Sequence, residues 1–126
     1  MTFASTIGTT VHKEKTPGES ILFGFAMDEL LDAGELYTGT PTVTCTSVDT
    51  QQKAASQGSV TDLTINGTPL VNTVTFKDDE GNTVEIGGGV QCRISDGLRY
   101  VWYELLVSCG TTAGNTREDR FWLEVN

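Results

Sequence analysis

The closing segment constrains the fold of this chain more than any other part. In YVWYELLVSCG, residues 100–110, large apolar side chains stand at consecutive positions, and FWLEV at 121–125 repeats the pattern. Successive side chains of a strand point to opposite faces. Tyr100, Trp102, Glu104, Leu106 and Ser108 therefore form one row, and Val101, Tyr103, Leu105, Val107 and Cys109 the other. Both rows are mostly apolar. Either the strand is covered on both sides by its own chain, or another molecule covers one face.

Composition narrows the fold class. The chain has 126 residues, enough for one domain with a real core. Only 37% of residues are apolar, while 14 glycines and abundant Thr, Ser and Asn match short strands joined by many turns. Runs with period-two alternation recur in SILFGFAM, TPTVTCTSV, VTDLTINGTPLVNTVTF, GGGVQCRI and the two closing segments. Asn66-Gly67 reads as a two-residue hairpin turn, KDDEGN as a second tight turn, and DELLDAGE as one or two helical turns starting at Asp28. DTQQKAASQGS reads as an exposed loop. The expectation is an all-β, immunoglobulin-like, two-sheet antiparallel sandwich of seven to eight strands at 18–126, preceded by an arm or edge strand at 1–17.

Charge and motifs exclude several function classes. The net charge of -9 repels phosphate backbones and anionic membranes, so neither nucleic acid nor membrane is an expected partner. No window approaches a membrane span, and the start lacks the order of a signal peptide. His12 is the only histidine, which leaves no multi-histidine metal site, and its place beside Lys13 and Glu14 reads as surface. Asp78, Asp79 and Glu80 lack calcium-loop spacing, and no Lys-Ser/Thr follows the glycines at 87–89. Cys45, Cys92 and Cys109 read as small hydrophobes in strands. No enzyme and no cofactor is expected.

Two structural expectations concern the closing hairpin. An Asp-Gly turn before an aromatic strand resembles a tyrosine corner, with Asp96, Gly97 and Tyr100 as its members. If Tyr100, Trp102 and Leu106 face the core with Phe121, Leu123 and Val125, then Val101, Tyr103, Leu105, Val107 and Trp122 form an apolar outer patch. Burying each such side chain stabilises by about 1.5–3 kcal/mol, so the patch is expected to be an interface.

The stretches KTPGESILFGFAMDELLDAGE and YVWYELLVSCGTTAGNTREDRFWLEV resemble the start and end motifs of small immunoglobulin-like virion proteins of tailed bacteriophages. In that family a Lys-x-Pro turn leads to an aromatic strand, an acidic turn and Ala-Gly-Glu, and an acidic-Arg-Phe strand closes the chain. The resemblance implies a capsid decoration or cement protein that binds the major capsid protein, made in the bacterial cytoplasm and placed on the capsid exterior. It further implies a homo-oligomer such as a trimer, with the arm reaching a neighbour or another virion protein. The alternatives are a tail, neck or fibre component, and a module that binds host-surface glycans.

Overall fold

The computed structural model describes residues 2–7 and 14–126, so His12 lies outside the described residues. Ten strands follow one another: β1 (Ser5–Thr6), β2 (Glu14–Lys15), β3 (Ile21–Ala26), β4 (Tyr37–Asp49), β5 (Leu63–Val71), β6 (Phe76–Lys77), β7 (Thr83–Val84), β8 (Gly89–Asp96), β9 (Val101–Thr111) and β10 (Thr116–Val125). Short 3-10 turns at Asp28–Leu30 and Ala55–Gln57 interrupt them, with no α-helix among the described residues. The all-β, two-sheet architecture is the one the alternating runs predict. Six strands are long and four have two residues, which raises the number above the expected seven to eight.

One sheet has the order β1-β3-β8-β5, the other β2-β10-β9-β4, and β6 and β7 form a separate hairpin. The sheets face each other across one core. Phe23, Phe25, Val90, Cys92 and Ile94 come from the first sheet, and Val43, Leu105, Val107, Phe121 and Leu123 from the second. Phe25 and Phe121 meet edge to face across it, their ring centroids 5.2 Å apart. Gly24 lets Phe76 close over β3, because a Cβ there would lie 2.6 Å from the Phe76 ring.

The amino-terminal residues are shared between the sheets. Trp122 N donates to Thr2 O at 2.8 Å and Ala4 N donates to Trp122 O at 3.1 Å, which places Phe3 opposite Trp122 in a parallel bridge. Two residues later the chain has changed sheets, since Ser5 and Thr6 pair with Gly24 and Phe23 of β3. It returns at β2, where Glu14 and Lys15 run parallel to Glu124 and Val125. Lys15 is 1% exposed, and its amine donates to the carbonyls of Thr16 and Asp96. Burial lowers its pKa, and the Glu19 and Asp96 carboxylates oppose that shift while the two carbonyls accept its hydrogen bonds.

Three local expectations need correction. Asn66-Gly67 is not a hairpin turn: β5 runs through it, pairing with β8 on both sides, and the ladder shifts register between Asn66 and Leu70. Gly67 has φ +75, a conformation that a bulge accommodates as well as a turn does. Asp28 does not cap the 3-10 turn; Met27 takes that position, without a side-chain bond. Cys45 is exposed rather than packed, while Cys92 and Cys109 are buried, and all three are free thiols.

Candidate functional site

The face assignment of the closing hairpin is the reverse of that expected. Val101, Tyr103, Leu105 and Val107 are all 0% exposed and belong to the core, together with Phe121, Leu123 and Val125. The register decides this: Phe121 lies opposite Leu105, Leu123 opposite Tyr103 and Val125 opposite Val101. Directly opposed residues share a face, so a slip of one position exchanges the two rows completely. Only Trp122 of the five expected interface residues stands on the outer face, with Trp102, Glu104 and Leu106. The chain itself covers the greasier row.

The expected corner also moves. Tyr100 is 46% exposed, and its contribution is a backbone bond from its N–H to Val125 O at 2.7 Å. Tyr103 carries the phenol that ties the end of the sandwich together, accepting from Leu98 N at 2.8 Å and donating to Thr61 O. Asp96 and Tyr100 both adopt positive φ, 65° and 66°, and Gly97 lies between them at 98°. These turn conformations bring the chain from β8 into β9 over the Tyr103 ring, which lies 3.5 Å from where a Cβ on Gly97 would be.

Among the described residues, two surface hollows are candidates. The first, about 250 Å³, lies between the 3-10 turn after β3 and the β6–β7 turn, and is lined by Met27, Asp28, Glu29, Asp78, Asp79 and Asp119 among others. Several of these carboxylates are already engaged. Asp78 Oδ1 accepts from Glu80 N and Asn82 N at 3.0 and 2.7 Å, Asp79 Oδ2 from Phe3 N at 3.2 Å, and Asp119 Oδ1 from Arg120 N at 2.8 Å. Among the described residues no cluster of His, Cys, Asp and Glu is arranged to hold a metal ion. Asp78 shapes the β6–β7 turn, and Asp79 holds Phe3 N.

The second hollow, about 190 Å³, has a different chemistry: it is lined by Trp102, Asp49, Gln51 and Gln52. Trp102 enters it from the outer row of β9, where Asp49 of β4 is its cross-strand partner. Asp49 Oδ1 accepts from Gln51 N at 3.0 Å, an Asx turn that fixes where β4 ends and sets the exposed side chains of Gln51 and Gln52 beside the indole. Phe3 meets the Trp102 ring edge-on, with centroids 5.4 Å apart and planes at 63°. A half-buried indole thus stands beside two carboxamides and a carboxylate. The apolar ring face can take a flat C–H surface, while the amides donate and accept and the carboxylate accepts.

The sequence reading missed this hollow because it placed Trp102 in the core. Its neighbours in the same row, Glu104 and Ser108, were the available signal that this row faces out. Glu104 Oε1 accepts from Thr46 and Ser47 hydroxyls at 3.0 and 3.3 Å and pairs with Arg120 at 3.2 Å, an exposed polar network unsuited to an inner face.

At the opposite end, Glu35 is buried and holds the β9–β10 turn. Thr111 Oγ1 and Asn115 Nδ2 donate to its Oε2 at 2.7 and 2.9 Å, and Asp32 N donates to Oε1 at 3.1 Å. Arg117 adds a longer ion pair at 3.4 Å. Hydrogen bonds from Thr111, Asn115 and Asp32 hold the carboxyl well below the usual range, at about 2. With its acceptor positions filled, this carboxylate is a structural fastening.

Comparison with known families gives a match over residues 22–92. The matching model is described as TrmB/TrmBL1, EBD C-terminal subdomain, and covers more than half of the chain. The chain belongs to this family. No curated protein and no solved structure gives a match. The matched stretch runs from β3 into β8 and includes Asp49, Gln51 and Gln52, while Trp102 lies beyond it.

This membership overturns the virion reading. The family is a transcription-regulator domain and not a phage virion protein. The capsid decoration role, the alternatives of a tail, neck or fibre component and of a host-surface glycan-binding module, the major capsid protein and other virion proteins as partners, and the capsid exterior as location all fall with it. The motifs behind the resemblance were alternation and turn signals, which any small sandwich of this kind must carry. Four of the five side chains expected to meet a shell partner, Val101, Tyr103, Leu105 and Val107, belong to the domain's own core.

Proposed function

We propose that this chain is an effector-binding, non-catalytic module of a cytoplasmic transcription regulator, and that its effector is a neutral sugar bound on Trp102. The observation that carries the reading is the hollow itself, lined by the indole of Trp102 together with Gln51, Gln52 and Asp49. A pyranose has C–H groups that stack on an aromatic ring and hydroxyls that exchange hydrogen bonds with amides and carboxylates. Membership of an effector-binding family supports the same reading. So does the size of the hollow, which falls below the ~300 Å³ lower end of pockets enclosing drug-sized ligands and suits partial embrace of one ring.

A non-catalytic role agrees with the state of the thiols. Burial pushes Cys92 up to about 11 and raises Cys109, and Cys45, on the exposed side of β4, is raised by partial desolvation of its thiol and by the nearby Asp62 carboxylate, which leaves each a poor thiolate nucleophile near neutrality.

Titration with glucose, galactose, lactose and sucrose, followed by calorimetry and tryptophan fluorescence, tests the proposal. At least one of the four is expected to bind, and Trp102→Ala to weaken it by about tenfold or more, because burying the apolar face of a large side chain against a ligand contributes about 1.5–3 kcal/mol. Binding that survives Trp102→Ala unchanged, or none to the wild-type protein, refutes the assignment.

A further inference from the structure

Resting on the assignment of Trp102 as the ligand platform, we infer that Phe3 is the positioning residue of that platform and that Asp79 sets Phe3 in place. Docking of residues 2–4 and occupancy of the hollow are then energetically linked.

Phe3 is held from three directions. Its neighbours Thr2 and Ala4 exchange backbone hydrogen bonds with Trp122, which turns the Phe3 side chain to the outer side of the sheet. Its own N–H points away from β10 and donates to Asp79 Oδ2 at 3.2 Å. Its ring then contacts the Trp102 indole edge-on, 5.4 Å between centroids. Asp79 is in turn placed by the β6–β7 turn, whose shape Asp78 fixes through the N–H groups of Glu80 and Asn82.

The consequence follows from geometry. Trp102 is on the outer row, and the hollow lies along its border with Asp49, Gln51 and Gln52. An indole without a packed neighbour samples several χ1 and χ2 states, of which only some present a face to the hollow. The edge contact from Phe3 selects among them, so the docked segment pre-organises the platform. Linkage makes the effect reciprocal: a sugar that needs the selected rotamer tightens the docking of residues 2–4. The bridge is short, and its charge-assisted bond to Asp79 adds a point at which it is tunable.

The test uses Trp122→Phe as background, which leaves Trp102 as the only indole of the two in the chain. Acrylamide quenching of Trp102, amide exchange at residues 3 and 4, and titration with the same four sugars are measured for Phe3→Leu and Asp79→Asn. Phe3→Leu keeps an apolar side chain at this position while removing the aromatic edge. It is expected to raise Trp102 quenching and to weaken the bound sugar by about fivefold, the low end of ordinary coupling between sites. Asp79→Asn is expected to speed exchange at Phe3, and saturating sugar to slow it. Unchanged quenching in Phe3→Leu overturns the inference whether or not a sugar binds. Sugar binding equal to wild type in Phe3→Leu, when Trp102→Ala abolishes it, overturns it as well. If none of the four sugars binds the wild type while Phe3→Leu still loosens Trp102, the sugar reading falls and the bracing of Trp102 by Phe3 stands.

Discussion

Replacing Tyr103 by Phe isolates the bond that closes the sandwich end. The ring remains in a site that is 0% exposed, so little packing changes; what is lost is one hydroxyl. That hydroxyl accepts from Leu98 N and donates to Thr61 O. Each neutral hydrogen bond contributes about 0.5–1.5 kcal/mol net, and a buried donor left without a partner costs about 1–3 kcal/mol. Thr61 is exposed, so its carbonyl regains water, and Leu98 is half-buried, so its N–H recovers only in part. The expected loss is therefore about 1.5–3 kcal/mol. For a domain of this size each kcal/mol lowers Tm by about 3–5 °C, so the variant should melt about 5–15 °C lower. Urea unfolding by far-UV circular dichroism measures it, as a lowered midpoint at unchanged slope. Tyr100→Phe is the control: Tyr100 is 46% exposed, and the change should stay within about 0.5 kcal/mol. A Tyr103→Phe midpoint equal to wild type, or a Tyr100→Phe loss as large, would refute the placement of the corner on Tyr103.

The reversed faces of β9 predict that Leu105→Ala, at 0% exposure, costs about 2–5 kcal/mol in the same urea assay. Leu106→Ala, on the half-exposed outer row, should cost clearly less. Glu35 predicts an acid transition. Its folded pKa of about 2 lies below the ordinary 4.5, so its stabilisation is complete above about 4.5 and is lost as pH falls toward 2. Thermal melts of Glu35→Gln against wild type across pH 2 to 7 should converge at the acid end; a constant gap would contradict the role of the carboxylate. Gly24→Ala would set a methyl group 2.6 Å from the Phe76 ring, and overpacking of this kind costs about 1–3 kcal/mol, measurable as a drop in Tm.

The fold class was legible in the chain because alternation is a local property. SILFGFAM, TPTVTCTSV and the closing hairpin each became strands, and KDDEGN became a tight turn, as their residues demand. The all-β, two-sheet architecture follows from such runs without a helix long enough to cover a sheet. Less legible were features in which one local signal has two tertiary solutions. Asn66-Gly67 supplies a positive φ, and whether this becomes a turn or a bulge depends on whether both flanks find the same partner; both pair with β8. The expected hairpin was wrong for that reason.

The closing hairpin gives the sharpest division between the two levels. The chain alone determines that β9 carries two apolar rows, since residues at successive positions must point to opposite sides. Which row is inside is settled by the pairing of Phe121 with Leu105 and Leu123 with Tyr103, a long-range register that no window of β9 contains. That register puts Trp102 outside, and only the end of β4 and the return of Phe3 from the amino-terminal segment surround it with Asp49, Gln51, Gln52 and an aromatic edge. A strand pattern records how side chains alternate; it does not record what lies across the sheet, because that depends on free energy summed over residues distant in the chain.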